Sequence, residues 1–120
     1  MRDHTRRAVA AIVAAAAGRR QPRAVYDHAQ GAHFHMSGQV DDSHVSVYDH
    51  DESCHITGSA SGSGYSLYHH GNAGHESLTF SGTTFSGYDY DTGTHYSGQA
   101  NGGVVQIYDH GTGTHYHYSS

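Results

Sequence analysis

The chain has 120 residues, enough for one domain, with a formal net charge of −5, one cysteine and no tryptophan. Leu, Ile, Val and Phe together make up only 16 residues, but ten tyrosines supply further apolar area. A small apolar share indicates disorder only when the net charge is high. The composition therefore favours an ordered domain, and the single cysteine excludes an internal disulfide.

Charge divides the chain near residue 24. All six basic residues are arginines at or before Arg23, whereas the remainder carries eight Asp, two Glu and no Lys or Arg. A surface that binds nucleic acid needs fixed positive charge. We therefore expect no nucleic-acid partner for residues 25–120.

Residues 1–24 form an Arg- and Ala-rich leader. Its apolar run, residues 8–17, is followed by Pro22, which cannot extend a helix. At ~1.5 Å per residue the run is far shorter than the ~30 Å that a membrane span requires. The sequence therefore predicts no membrane span.

Two interpretations of the leader stay open. In the first, Arg6-Arg7 before a weakly apolar stretch resembles a twin-arginine export signal, and the protein is exported. In the second, the protein is cytoplasmic and the leader is a helix that packs on a sheet. The residues that would share one face of this helix are Val9, Ile12, Val13 and Ala16.

Residues 25–120 contain a repeat of about 20 residues. Its marker tyrosines, spaced by 22, 20, 20 and 20 residues, are Tyr26, Tyr48, Tyr68, Tyr88 and Tyr108. Segments of alternating character separated by Gly-rich breaks indicate β-hairpins. The sequence therefore predicts an all-β fold, a ten-stranded antiparallel meander that is strongly twisted or closed into a barrel.

One face of this meander is predicted to be apolar. Its middle row is Val25, Met36, Val47, Gly58, Leu67, Leu78, Gly87, Gly98, Ile107 and Tyr118. Each glycine of this row is predicted to lie opposite a large residue, in the pairs Gly58/Leu67, Gly87/Leu78 and Gly98/Ile107. Ten strands at ~4.8 Å make a sheet ~45–50 Å wide, whereas one helix is ~10 Å across. The leader alone would cover only part of this face, so the sheet must curl or self-associate with another copy through it.

The opposite face is predicted to carry a row of histidines. Four-residue turns at 29–32 and at equivalent positions place residue 28 opposite 33, and the turns at the other end place His55 opposite His70 and His95 opposite His110. The longer first connection places His33 opposite His50. Tyr90 interrupts the row, whose nine histidines are His28, His33, His50, His55, His70, His75, His95, His110 and His115.

These histidines are the candidate metal ligands. Directly opposed residues have Cβ atoms ~4.5–5.5 Å apart, a distance at which two imidazoles can share Zn²⁺, Ni²⁺ or Cu²⁺. The best pairs are predicted to be His28/His33, His50/His55, His70/His75 and His110/His115. The alternative is that the repeat merely copies solvated histidines that bind no ligand.

Catalytic motifs are not found. Tyr-Asp-His occurs at 26–28, 48–50 and 108–110, but adjacent residues of a strand point to opposite faces and cannot form a triad. There is no nucleophile elbow, phosphate-binding loop or HExxH sequence. We therefore expect a non-enzymatic β-repeat protein with a structural or binding role, or alternatively a dedicated metal-binding protein.

Overall fold

The computed structural model describes residues 1–120 as one helix followed by eleven antiparallel strands. The helix α1 spans Asp3–Gly18. The strands are β1 (Val25–Asp27), β2 (Ala32–Phe34), β3 (Met36–Val40), β4 (His44–Asp49), β5 (Cys54–Ser61), β6 (Gly64–His69), β7 (Gly74–Ser81), β8 (Thr84–Asp89), β9 (Thr94–Asn101), β10 (Val104–Asp109) and β11 (Thr114–Ser119). No helix is long and apolar enough to cross a membrane.

The predicted all-β meander is confirmed, and it forms one nearly closed, barrel-like sheet. The strand order is β2-β1-β11-β10-β9-β8-β7-β6-β5-β4-β3. The two edge strands, β2 and β3, are consecutive in the chain and are separated only by His35. This break explains why there are eleven strands rather than the predicted ten. The bent segment 32–40 pairs with β1 through its first half and with β4 through its second.

Helix α1 lies inside the curved sheet. Every residue from Thr5 to Ala15 is buried, on all sides of the helix. A helix on the surface of a sheet buries only one stripe, so burial on all sides means that the sheet surrounds it. The apolar face is therefore covered by the helix within one chain, and a second copy is not needed to cover it.

The inner face of the sheet is the predicted apolar face. Val25, Val47 and Ile107 are fully buried in one core cluster together with the helix residues Ile12 and Val13. Small residues make room for the helix. An eight-stranded barrel is filled by its own side chains, and this wider sheet accommodates a helix because seven of the sixteen residues of α1 are alanines, whose side chains are single methyl groups.

Glycines on the inner face lie beneath aromatic rings. A Cβ atom on Gly87 would lie 2.5 Å from the ring of Tyr96, and one on Gly98 would lie 2.7 Å from Phe85. Both rings belong to the residue directly opposite on the neighbouring strand. The glycines therefore let large side chains lie flat on the sheet and leave space for the helix.

Four of the five turns at one end of the barrel have the same side-chain hydrogen bond, and we call this end of the barrel the acidic end. It is defined by four inward-facing carboxylates that precede the turns and are at most 2% exposed: Asp27, Asp49, Asp89 and Asp109. Each accepts a hydrogen bond from a turn N–H two residues later, as in Ala29 N–H to Asp27 Oδ1 at 3.0 Å. Such side-chain hydrogen bonds stabilise the turn conformation.

The buried arginines of the helix meet this end of the barrel. Arg6 Nη1 lies 2.9 Å from Asp109 Oδ2, and Arg6 also pairs with Asp3. Arg7 Nη2 lies 3.6 Å from Asp51 Oδ2, and its guanidinium stacks 3.7 Å from the ring centroid of Phe34. The charge division in the sequence thus corresponds to a basic helix end inside an acidic barrel end.

The turns provide the first testable prediction. The last turn residue has positive φ, and it is glycine at 31, 93 and 113 but Ser53 (φ 52°) and Ala73 (φ 54°) in the other two turns. A side chain in this region costs roughly 1–2 kcal/mol. Ala73→Gly should therefore raise the free energy of unfolding in urea by about 1 kcal/mol, and Gly93→Ala should lower it. Equal stability of all three proteins would contradict this account.

The enclosed helix provides a second prediction. Ala11 is fully buried, so Ala11→Leu should overpack the interior and lower the free energy of unfolding by about 2 kcal/mol. The matched control is Ala17→Leu, at an exposed position of the same helix, which should change stability by less than about 0.5 kcal/mol. Equal effects of the two substitutions in urea denaturation would show that the sheet does not surround the helix.

Candidate functional site

The outer face of the barrel carries a repeated cluster of one tyrosine and two neighbouring rings. In the first repeat, the ring centroid of Tyr26 lies 4.9 Å from that of His28 and 4.7 Å from that of His33. The same arrangement surrounds Tyr48, Tyr68 and Tyr108, at centroid distances of 4.6–4.9 Å. In the fourth repeat, Tyr90 takes the place of one histidine. The tyrosines are half-buried between exposed imidazoles.

The predicted pairing of histidines within a hairpin is wrong. The turns have the predicted four residues but begin one residue earlier, at 28–31 rather than 29–32, because Asp27 ends the strand and accepts turn N–H groups. This shifts the register by two residues. The predicted pairs His28/His33, His50/His55, His70/His75 and His110/His115 are therefore replaced by Tyr26/His33, Tyr48/His55, Tyr68/His75 and Tyr108/His115.

The predicted pairings of His55 with His70 and of His95 with His110, between hairpins, are confirmed. The register of β5 and β6 places His55 opposite His70, and the His70 N–H donates to the His55 carbonyl at 2.9 Å. His110 donates to His95 in the same way at 3.1 Å, with the two ring centroids 6.5 Å apart.

Two further histidine pairs follow the same pattern but include residues that the sequence analysis did not propose. The His50 N–H donates to the His35 carbonyl, and the His28 N–H donates to the His117 carbonyl, both at 3.1 Å. The predicted row placed His33 rather than His35 opposite His50. Asp41, which accepts the N–H groups of Ser43 and His44 in the turn between β3 and β4, is the signal that would have corrected the register of His35 and His50.

Four cross-strand histidine pairs therefore lie on the outer face: His35/His50, His55/His70, His95/His110 and His28/His117. Of the nine predicted ligands, His33, His75 and His115 face tyrosine instead. All nine are exposed. No group of three or more His, Cys, Asp or Glu side chains is arranged to hold a metal ion, so each pair offers two ligands and leaves the other coordination positions open.

Hydroxyl groups orient several of these imidazoles. The Nε2 atom of His50 lies 2.7 Å from Ser37 Oγ, that of His70 lies 2.9 Å from Thr57 Oγ1, and that of His28 lies 2.7 Å from Ser119 Oγ. A hydrogen bond to one ring nitrogen leaves the other nitrogen, Nδ1, to bind a metal.

The outer face also has two contiguous depressions, which we call the outer groove. The first, about 450 Å³, is lined by residues that include Ser97, Gln99, Gln106, Tyr108 and His115. The second, about 550 Å³, includes the residues one repeat earlier: Ser77, Thr79, Ser86, Tyr88 and His95. The depressions share Thr79, Ser86 and Ser97, and no Asp, Glu, Lys or Arg lines either of them.

The Tyr-Asp-His sequences do not form catalytic triads. At 26–28, 48–50 and 108–110 the aspartate lies inside the barrel, at most 2% exposed, while the tyrosine and histidine lie outside. The buried carboxylates accept turn N–H groups, so their role in the structure is to hold the turns.

The third repeat differs from the others inside the barrel, and the sequence analysis did not single it out. His69 occupies the position of the turn-holding aspartates, and Glu76 occupies a position that is aromatic or aliphatic elsewhere. The equivalents of Glu76 are Phe34, Ile56, Tyr96 and Tyr116. Comparison of the repeats position by position is the signal that would have found both residues.

His69 and Glu76 are buried and incompletely hydrogen-bonded. His69 Nδ1 accepts the Asn72 N–H at 3.3 Å, while His69 Nε2 and Glu76 Oε1 have no partner. Burial lowers the pKa of His69, and nearby His4 lowers it further. Burial raises the pKa of Glu76 to about 8, with a further contribution from Asp89, directly opposite on β8. Glu76 is therefore mostly protonated at neutral pH.

Comparisons with known proteins identified no relative of this chain. No protein-family model matches the chain, and no curated protein or solved structure gives a significant match. Assignment of the site consequently depends on the geometry of the outer face and of the acidic end.

Glu76 provides a third prediction. Its folded pKa of about 8 lies above the ordinary value of 4.5, so the folded state binds more protons than the unfolded state between these pH values, and stability falls as pH rises through them. Glu76→Gln removes this titration. The free energy of unfolding of this variant relative to the parent should rise by the order of 3 kcal/mol between pH 5 and pH 8.

The matched control for this measurement is Asp42→Asn, which removes an exposed carboxylate. Its stability relative to the parent should change little over the same pH range. If urea denaturation shows the same pH dependence for Glu76→Gln and the parent, then Glu76 is ionised in the folded protein and this assignment is wrong.

Proposed function

We propose that the protein is a non-enzymatic binding scaffold whose outer face of His, Tyr, Ser and Thr is the binding surface. The observation that carries this proposal is the separation of roles between the two faces. The inner face and helix α1 form one packed core, whereas the repeated tyrosine–histidine clusters lie outside it. Side chains on the outer face are therefore free to contact a ligand without disturbing the core.

The rigidity of the scaffold supports a binding role. Binding groups held by a sheet lose little conformational freedom when a ligand arrives, and here each tyrosine is already packed between two rings at 4.6–4.9 Å. Tyrosine presents a large, flat and partly polar surface at small entropic cost. The repeat presents this group five times around the barrel.

A dedicated metal-binding protein is the second candidate, because the outer face carries four pairs of histidines that are neighbours on adjacent strands. Neutral imidazole is a ligand for Zn²⁺, Ni²⁺ and Cu²⁺, and exposure of the pairs leaves their coordination positions accessible. In this candidate the binding unit is a pair between hairpins, for example His55 with His70, and each pair binds one ion.

Two double variants test both candidates. His55→Asn/His70→Asn removes one complete pair, whereas His55→Asn/His95→Asn removes the same number of histidines but breaks two pairs. The scaffold proposal predicts that both variants stay folded, with free energies of unfolding within about 1 kcal/mol of the parent. The metal-binding candidate predicts about four Ni²⁺ sites per chain in the parent, three in the first variant and two in the second, as measured by calorimetric titration.

Each candidate has an outcome that contradicts it. Loss of the folded state in either variant, seen by circular dichroism, would show that the outer histidines maintain the fold and would contradict the scaffold proposal. Equal Ni²⁺ stoichiometry in the two variants would show that histidines act singly, which contradicts binding by pairs.

A further inference from the structure

We propose that the outer groove binds a neutral oligosaccharide, and this inference rests on the proposed binding role of the outer face. The groove runs across β7, β8, β9, β10 and β11 and consists of the two contiguous depressions described above. Three features carry the inference: the chemistry of the lining groups, the position of the two tyrosines and the spacing of the repeat.

The lining groups are neutral hydrogen-bonding groups. Side-chain hydroxyls and amides donate and accept hydrogen bonds at once, which matches the hydroxyl groups of a sugar. The Gln106 amide nitrogen lies 3.2 Å from His115 Nδ1, so its position is set before a ligand arrives and its carbonyl oxygen stays available. The opposed Gln99 on β9 supplies a second amide.

Two half-buried tyrosines supply apolar surface within the groove. Tyr108 lies in the first depression and Tyr88 in the second, at equivalent positions of consecutive repeats. The ring of Tyr108 is held between His110 and His115, at centroid distances of 4.7 and 4.6 Å. A fixed aromatic ring beside neutral polar groups is the combination that accommodates the C–H face and the hydroxyl edge of a pyranose.

The spacing of the repeat favours a chain of sugars over a single one. Tyr88 and Tyr108 are two strands apart, which corresponds to ~9.6 Å across a sheet. They are also offset by two residues along the strands, because Tyr88 lies opposite His95 whereas Tyr108 lies opposite Ser97, so their total separation is ~12 Å. A separation of this size exceeds the length of one sugar ring, so the two tyrosines are placed to contact different sugars of one chain, with Ser97 on the strand between them.

Charge selects against acidic glycans. Residues 24–120 carry ten carboxylates and no Lys or Arg, and sulfated or carboxylated sugars are normally held by cationic side chains. The field of this domain therefore repels a polyanion at neutral pH. A neutral glycan neither needs a cation nor meets this repulsion.

The test measures binding of three neutral hexasaccharides, built from glucose with β-1,4 links, glucose with α-1,4 links or N-acetylglucosamine with β-1,4 links, to the full chain by calorimetry. Tyr88→Ser/Tyr108→Ser removes both rings from the groove. The matched control, Tyr26→Ser/Tyr48→Ser, makes the same changes at equivalent positions of other repeats. We expect at least one hexasaccharide to bind the parent, with Kd at least tenfold weaker in the groove variant and within twofold in the control.

A further variant tests the groove even if the double tyrosine variants do not fold. Gln99→Ala changes an exposed groove residue and should weaken binding at least threefold while circular dichroism stays that of the parent. Absence of binding by the folded parent to all three hexasaccharides at millimolar concentration overturns the glycan assignment and leaves the scaffold proposal standing. Equal weakening in the groove and control variants also overturns it. Unfolding of both tyrosine variants contradicts the scaffold proposal itself.

Discussion

Enclosure of helix α1 by the sheet is the constraint on which the rest of the structure depends. Because residues Thr5 to Ala15 are buried on all sides, each inward-facing strand residue has to leave room for the helix while still filling the interior at the density of a protein core. Alanine on the helix and glycine beneath Tyr96 and Phe85 meet this requirement. A larger helix would need a wider sheet, and a smaller one would leave cavities.

Electrostatics orients the helix within this enclosure. The buried carboxylates of the acidic end are each hydrogen-bonded to a turn, and Arg6 and Arg7 bring fixed positive charge to the same end. Buried ion pairs contribute little net stability because desolvation opposes the attraction, but an unpaired buried charge costs several kcal/mol. The pairs therefore act against a helix inserted in the opposite direction, which would place both arginines away from the carboxylates.

Much of this architecture could be predicted from the sequence, because it follows from periodicity. The 20-residue repeat and the alternation of apolar and polar residues predicted the two faces, and the glycine-containing turns predicted the cross-strand pairs Gly58/Leu67 and Gly98/Ile107. The register at the acidic end could not be obtained from turn length alone. This register depends on whether the Asp27 side chain stays extended along the strand or folds back to accept the N–H groups of the turn. Two registers that differ by two residues keep the same face of the sheet polar, so the alternation of polar and apolar residues does not distinguish them.

Other features were not predicted because they are tertiary. For a flat sheet ~45–50 Å wide, one helix would cover only part of the apolar face. In the structure the sheet is curved, so this width becomes the circumference around the helix and the whole apolar face meets it. The pairing of His35 with His50 depended on the turn at the opposite end of the barrel, where Asp41 accepts the N–H groups of Ser43 and His44. His69 and Glu76 were readable in the repeat as departures from it, but their burial without full hydrogen bonding became apparent only when the inner face was known.

The pairing of β1 with β11 has a consequence for the order of folding. These are the first and last of the eleven strands in chain order, and Tyr26 lies opposite Ser119, so the ring closes only after all eleven strands are available. Contacts so distant in sequence carry a large loop-closure entropy and slow the folding of all-β proteins. During synthesis the helix leaves the ribosome before the strands and has no complete enclosure until β11 emerges. Until then its apolar surface is open to chaperones and to other chains.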